Sequence, residues 1–261
     1  MLFLPGVKRV RVSRVRIWVI PARWVYSPLL ALFVAVAIWS GTRPAEPEVA
    51  RLLANGQQTL QHRAIGVDAG HGGPDPGASA DGAVEKQIVL DIALRLEKLL
   101  QQVGARPYLT RRMDDRFVDD LPIPLDKVKG LDHRAELINQ TEAEVFLSVH
   151  ANSFPSPRWS GAQVFYQSGS AEGKRLAEAI QTELVRLLGP NQRRALGGDF
   201  RVLRQSKVPA VIVEVGFLSN PEERARLQDP EYRQRVAEAI LAGLIRYYRG
   251  ILSPPAAGQL R

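Results

Sequence analysis

Four side chains in this 261-residue sequence stand where an ordinary core has no use for them: His71, Glu85, His150 and Glu214. His71 follows the apolar run Ala64–Ala69 in "AIGVDAGHGGPDPGA", and His150 closes "VFLSVH". Either histidine alone reads as a hydrogen-bonded group near a strand end. Two at equivalent strand ends point instead to a shared site, because imidazole carries protons near neutral pH and is the commonest metal ligand. Glu214 interrupts "AVIVEVGF", otherwise a fully buried strand. An ionised carboxylate there costs several kcal/mol unless it is paired or faces a cation. It is therefore either half of a buried ion pair or a catalytic carboxylate near a metal. Glu85 opens a helical pattern, where the helix dipole alone accounts for an acid. The same position also aims it at the rim of a sheet.

Two imidazoles and a carboxylate suit a catalytic zinc ion, which accepts such donors and leaves a fourth position to water. The ion lowers the pKa of that water to about 7. A second carboxylate can take the proton and pass it to a leaving amine. The stronger H-E-x-x-H signature is absent from the sequence. A phosphate cradle is the competing reading of "GHGGPDPG", but the stretch matches neither G-x-x-x-x-G-K-[ST] nor G-x-G-x-x-G. Pro74 and Pro76 also remove backbone donors. A plain Gly/Pro turn explains the glycines and leaves His71 unexplained.

Positioning these groups requires alternating strands and helices. Short apolar runs predict strands at Ala64–Ala69, Arg106–Thr110, Val145–His150, Ala162–Gln167, Phe200–Leu203 and Ala210–Val215. Ile88, Ile92, Leu96, Leu99 and Val103 recur at helical spacing and predict a helix over Lys86–Val103. Leu131–Gln140, Ala171–Leu188 and Glu231–Ile251 follow the same pattern. "SNPEE" predicts a helix start, with Asn220 as cap, Pro221 in the first turn and Glu223 completing a capping box; Asp229 caps the last helix likewise. The alternation implies a single α/β domain with a twisted, largely parallel six-stranded sheet flanked by helices. Sites in such sheets form at the carboxyl ends of strands. Within "AVIVEVGF", alternation sets Val211, Val213 and Val215 on one face and Ile212, Glu214 and Gly216 on the other. His62 and His133 lie in polar settings and read as surface residues.

The formal charge of +8 belongs to the N-terminus. Lys8, Arg9, Arg11, Arg14, Arg16, Arg23 and Arg43 carry seven of the positive charges, leaving 28 basic and 27 acidic side chains in the rest. The remaining chain is nearly neutral, so no nucleic-acid partner is expected. Residues 1–24 are basic, and 25–40 form an uncharged apolar run bracketed by Trp24 and Trp39. This order reads as a secretory signal or membrane anchor. The run is shorter than the span of about 20 residues that crosses a bilayer comfortably, and Ala35-Val36-Ala37 offers a weak cleavage pattern. Anchor and cleaved signal both fit, and both imply an exported domain, membrane-anchored or secreted to the cell envelope. Residues 41–63 read as a linker with a short helix at Glu48–Leu53, residues 64–252 as the catalytic domain and 253–261 as a tail. With no cysteine, disulfides, thiolate metal sites and a cysteine nucleophile are excluded.

"VDAGHGGPDPGA", Glu85-Lys86, "FLSVHAN" and "PAVIVEVGFLSNPEE" occur in this order. Together they resemble the zinc-dependent N-acetylmuramoyl-L-alanine amidases of bacterial cell walls, the amidase-3 type, from about Ile65 to Tyr248. The resemblance implies a fold like that of zinc exopeptidases. It also implies one zinc ion bound by His71, Glu85 and His150, with Glu214 as the catalytic carboxylate. The implied reaction cleaves the amide between the lactyl group of muramic acid and the L-alanine of the stem peptide. Peptidoglycan is then the substrate, an activator protein a possible partner, and the N-terminal segment the contact with the membrane. Asp68 is expected either to orient His71 or to be a strand-end turn carboxylate, and Asn152 to bind substrate or serve only as a turn residue.

Some family members carry a blocking helix after the second histidine motif; here "ANSFPSPRWSGAQVFY" leaves no room for one. That stretch, the basic N-terminal segment and the lack of wall-binding repeats most resemble the spore-cortex, germination-related branch, which takes part in making muramic-δ-lactam. Residues 111–130, "RRMDDRFVDDLPIPLDKVKG", are longer and richer in proline than the usual connection. Two other functions fit the residues. A two-metal zinc exopeptidase would draw Asp68 and Asp75 into the ligand set, and a non-catalytic module would bind peptidoglycan without turnover.

Overall fold

The computed structural model describes residues 8–12, 15–19, 48–114, 134–189 and 191–251. The chain divides after Glu48 into two units. In the first, β1 (Lys8–Val12) and β2 (Val15–Val19) form an antiparallel hairpin within the basic segment. The expected anchor at 25–40, His133 and most of the proline-rich 111–130 stretch lie outside the described residues. Among those described, no helix is long and apolar enough to cross a membrane.

The second unit opens within α1 (Glu48–Leu60), longer than expected because Leu52, Leu53 and Leu60 all pack on the core. Then follow β3 (Ala64–Ala69), the short pair β4 (Ser79–Ala80) and β5 (Ala83–Val84), α2 (Glu85–Gln102), β6 (Arg106–Leu109) and α3 (Arg134–Asn139). The second half adds β7 (Val145–Asn152), β8 (Gln163–Gln167), α4 (Ala171–Leu188), β9 (Leu196–Gly198), α5 (Arg201–Gln205), β10 (Ala210–Phe217), α6 (Pro221–Gln228) and α7 (Pro230–Tyr248). The main sheet has six strands in the order β6-β3-β7-β10-β8-β9. β6, β3, β7 and β10 run parallel; β8 is antiparallel to β10, and β9 is parallel to β8.

One expected strand is wrong. Phe200–Leu203 does not join the sheet: Phe200 caps α5, and Arg201–Gln205 is helical. Phe200 and Leu203 sit three residues apart, a helical spacing that turns Leu203 and the neighbouring Phe200 toward the same small apolar cluster. The sixth strand is instead the Leu-Gly-Gly segment β9, whose two glycines carry no strand preference to read.

The two faces of the sheet are covered unequally. Ile65 and Val67 of β3, Val145, Leu147, Val149 and Ala151 of β7, and Val211, Val213 and Val215 of β10 belong to the large core under α2, α4 and α7. The opposite face packs a smaller cluster, with Phe146, Ile212, Ala135, Ile138 and Leu203, against the short helices α3 and α5. Alternation assigns Asp68, Ser148, His150 and Glu214 to this thinly covered face. The expected in/out pattern of β10 is therefore borne out by Ile212 and Val213, which fall in different clusters.

Candidate functional site

β7 and β10 run in parallel register with Glu214 opposite His150. His71 lies two residues past the end of β3, and Glu85 is the first residue of α2. Ligand atoms of His71, Glu85 and His150 all lie within 4.8 Å of one another, the one such group of three among the described residues. Glu85 Oε1 stands 3.1 Å from His71 Nε2 and 3.1 Å from His150 Nδ1. The two imidazoles meet edge to face, with centroids 4.9 Å apart.

Glu85 is tied down from both sides. Its Oε2 accepts from Ala78 N at 2.8 Å and its Oε1 from Ala151 N at 2.9 Å. Burial alone would raise its pKa; the hydrogen bonds with His150 and His71 outweigh that and hold it far below the usual carboxylate range. No side chain caps α2 at Val84, so Glu85 serves the site and the helix N-terminus together.

His71 has φ of 61°, in the left-handed region that a non-glycine residue enters at a cost of about 1–3 kcal/mol. Three contacts hold it there. Its Nδ1 pairs with Asp75 Oδ2 at 2.8 Å, its Nε2 faces Glu85, and its carbonyl accepts from Arg134 Nη2. Burial lowers the His71 pKa, but Glu85 and then Asp75 raise it further, and the net shift is upward. Asp75 reaches back because Gly72 and Asp75 close a tight turn, each donating its N–H to the other's carbonyl. The glycines of the loop are fixed by close packing. A Cβ on Gly70 would come within 2.4 Å of the His150 ring, and one on Gly77 within 2.6 Å of Glu85 Oε2 and 2.7 Å of His71.

Asp68 is linked to His71 only through Arg134. It does not touch His71, and it is no turn residue. It is fully buried on β3 and accepts from Thr110 Oγ1, Ser148 Oγ and Arg134 Nη1, each at 2.5 Å. Burial pushes its pKa up, and Arg134 followed by the two hydroxyls brings it below the ordinary value. His71 is oriented by Asp75 instead. Asp68 acts through Arg134, which also donates to the Ala69 carbonyl at 2.8 Å and so pins the strand end that leads to His71. Arg111, also fully buried, gathers the same region by donating to the carbonyls of Ala69, Gly70 and Lys86 at 2.8 Å each. With Asp68 and Asp75 so engaged, the acids that a two-metal site requires are already committed elsewhere.

Glu214 is the opposite case. Its Oε2 is buried and has no hydrogen-bond partner among the described residues. Burial raises its pKa to about 7, with His150 and His71 pulling down and Glu85 pushing up. An orphaned carboxylate oxygen beside three converging donor atoms fits a bound cation and its water: the donor set is the nitrogen, nitrogen, oxygen combination that zinc accepts. A cleft of about 300 Å³ opens at the two histidines and is walled by Arg134, Phe200, Val202 and Ile212. Asn152 pairs with Phe217 at the end of β7, and its carbonyl accepts from Leu218 N at 2.8 Å. Residues 153–162 reach β8 with no intervening helix.

Asn220 and Asp229 cap α6 and α7 as expected. Glu223 does not close the capping box; its carboxylate accepts from Gly161 N at 2.7 Å and Phe217 N at 2.8 Å, bracing the loop after β7 against the end of β10. Sequence reasoning missed Asp75, Arg111 and Arg134 as positioning residues. The i, i+4 spacing of His71 and Asp75 was the signal for the first; no local signal marks the arginines, whose burial depends on distant chain segments.

A family model described as N-acetylmuramoyl-L-alanine amidase matches residues 65–246. The chain is 39% identical over 200 residues to the germination-specific N-acetylmuramoyl-L-alanine amidase of Bacillus subtilis, covering 75% of this chain and 84% of that protein. Among solved structures, the CwlD amidase of Clostridioides difficile, in complex with the GerS lipoprotein, superposes with a TM-score of 0.66 at 34% identity, over 72% of this chain and 100% of that one. The N-acetylmuramoyl-L-alanine amidase AmiC2 of Nostoc punctiforme superposes with a TM-score of 0.63 at 32% identity, over 73% and 99%.

Proposed function

The chain belongs to the N-acetylmuramoyl-L-alanine amidase family, and from that premise we propose that His71, Glu85 and His150 hold one zinc ion while Glu214 carries the proton. The enzyme hydrolyses the amide between the muramic acid lactyl group and the L-alanine of the peptidoglycan stem peptide. The observation that carries the residue assignment is the convergence of three ligand atoms within 4.8 Å beside the unpartnered Glu214 oxygen.

A zinc ion bound there supplies Lewis acidity, polarising the scissile carbonyl and acidifying a water to a pKa of about 7. Glu214 takes a proton from the attacking water, whose oxygen bonds to the carbonyl carbon. It returns the proton to the nitrogen as the C–N bond breaks, and the water's second proton passes from the new carboxyl group to the amine, so that a lactyl carboxylate and the ammonium group of L-alanine are released. A pKa near 7 suits a group that must both accept and donate. Asp75 holds the His71 ring through Nδ1, so that Nε2 faces Glu85. Asn152, at the end of the strand bearing His150, contacts substrate.

The role in spore cortex rests on the likeness to the germination-specific enzyme of B. subtilis. An activator protein is proposed from the C. difficile CwlD–GerS complex, and attachment to the membrane from the basic and apolar N-terminal residues. The catalytic domain is assigned to 64–252 with a 253–261 tail, extended at its start by α1, which lies within the expected 41–63 linker but packs Leu52, Leu53 and Leu60 on the domain core.

Digestion of purified peptidoglycan, followed by mass spectrometry, tests the reaction. Stem peptides with a free N-terminal L-alanine are expected, and a chelator abolishes their release until zinc is restored. Cleavage confined to bonds inside the peptide overturns the assignment.

A further inference from the structure

The loop between β7 and β8 displays two large aromatic side chains to solvent. Phe154 is 54% exposed and Trp159 is 41% exposed. Their rings meet edge to face with centroids 5.9 Å apart. Val49, Met113, Leu196 and Ile251, the other large apolar side chains exposed among the described residues, make no such ring pair. Single exposed apolar residues are ordinary; an exposed pair held in a fixed arrangement is a binding feature.

The arrangement is fixed. Phe154 N donates to Ser219 Oγ at 3.1 Å, Asn220 Nδ2 donates to the Pro157 carbonyl at 2.8 Å, and Arg193 Nε donates to the Ser160 carbonyl at 2.6 Å. Pro155 and Pro157 stiffen the span between the aromatics. Arg193 backs the platform, its guanidinium 5.7 Å from the Trp159 ring and 4.5 Å from the Phe217 ring. The ordering cost of presenting these rings is therefore met on folding, before any ligand arrives.

The platform is also continuous with the site. The Arg193 Nη1 that braces the loop donates to Gln163 Oε1 at 2.8 Å, and Gln163 lies opposite Glu214 in the β8–β10 register. The loop starts immediately beyond Asn152, on the strand that bears His150.

We propose that Phe154 and Trp159 form a subsite for a pyranose ring of the peptidoglycan glycan strand. The inference rests on the amidase reading: the scissile amide hangs from a sugar, so the glycan must pass beside the site. One face of a pyranose presents C–H groups that pack against the negative face of an aromatic ring, while its edge presents hydroxyls. Arg158, exposed with its guanidinium 5.7 Å from the Trp159 ring, offers N–H donors at that edge. A protein partner is the rival occupant, and the two predict different ligands.

The test uses the full chain and glycan strands stripped of their stem peptides, so that sugar is the only ligand present. Wild type binds these strands; Trp159→Ala and Trp159→Leu weaken binding about tenfold, and Trp159→Tyr, which restores an aromatic face, recovers most of it. Phe154→Ala gives a smaller loss. Circular dichroism establishes that the variants are folded, and Trp159→Tyr carries the test if the smaller substitutions do not fold: it must bind while its double variant with Phe154→Ala binds less. Stripped glycan bound equally by wild type and the Trp159 variants, or by none of them, overturns the subsite. Release of stem peptides by wild type is measured alongside. If cleavage is instead confined to bonds inside the peptide while glycan binding depends on Trp159, the amidase reading falls and the sugar site stands.

Discussion

Asp68 and Glu214 are carboxylates near the carboxyl ends of two parallel strands, on the same thinly covered face of one sheet. Their surroundings differ in one respect. Asp68 receives two hydroxyls and a guanidinium; Glu214 Oε2 has no hydrogen-bond partner among the described residues. Burial raises the pKa of both, yet Asp68 ends below its ordinary value and Glu214 near 7. A strand-end acid is thus structural or chemical according to its donors, and neither residue type nor position tells the two apart. Around Asp68 the protein has converted burial into rigidity. Around Glu214 it has left burial uncompensated, which suits a group whose partner arrives with substrate.

The largest effect expected from this contrast is on turnover. Glu214→Gln keeps shape and removes the transferable proton, so peptide release falls about 10²–10⁴-fold. Stability stays equal or rises, because an uncompensated buried charge is gone. Zinc content, measured by metal analysis, stays near that of wild type, since Glu214 is outside the ligand set. Loss of stability in place of turnover would make Glu214 a second Asp68 and dissolve the comparison.

Asp68→Asn is its mirror. The amide cannot pair with the Arg134 charge, and breaking a buried ion pair from one side costs about 3–5 kcal/mol. Denaturant unfolding reads this as a lower midpoint at unchanged slope. The affected contacts also hold the His71 carbonyl and the end of β3, so activity falls with the folded fraction and with the geometry of His71. A variant as stable as wild type would show that the network contributes no stability.

The pH dependence of that difference is smaller and has a definite sign. The folded Asp68 pKa lies below 3.8. Its ionised form therefore contributes stability that is fully present above the unfolded value and is lost as pH falls through the folded one. The advantage of wild type over Asp68→Asn should be flat from neutral pH down to about 3.9, the value of an unfolded aspartate, and shrink below it. Unfolding midpoints collected across pH 2–7 check this; an advantage that grew on acidification would reverse the sign.

The sequence made Glu214 legible because a charge stands out in an unbroken apolar strand, and period-two alternation put it on the correct face. His71 and His150 were legible because both close apolar runs. Asp68 was misassigned because proximity in sequence favoured His71, whereas its strand position turns it toward Ser148, its register partner on β7. Asp75 orients His71 through a turn whose closure depends on backbone bonds between Gly72 and Asp75. Nothing local in the sequence marks Arg134, which lies on a short helix. Only the placement of α3 over the strand ends buries it, and that placement is set by contacts from far along the chain.

Glu223 provides the smallest and sharpest test, because it lies between the two extremes. Its two oxygens accept from Gly161 N and Phe217 N, which are neutral backbone donors; Arg193 attracts it electrostatically, whereas Asp68 receives a hydrogen bond from its arginine. Glu223→Gln replaces one accepting oxygen by an NH₂ group, which meets a backbone N–H donor to donor. One hydrogen bond is lost and one amide is left without its acceptor, at a cost of about 1–3 kcal/mol, less than for Asp68→Asn. The contact ties the loop after β7 to the end of β10, so hydrogen exchange should rise at Gly161 and Phe217 before it rises in the core strands. If Glu223→Gln instead matched Asp68→Asn in cost, two backbone donors would serve a half-buried carboxylate as well as the hydroxyls and guanidinium serve the fully buried Asp68. The division between Asp68 and Glu214 would then rest on the presence of donors more than on a hydrogen-bonded charge.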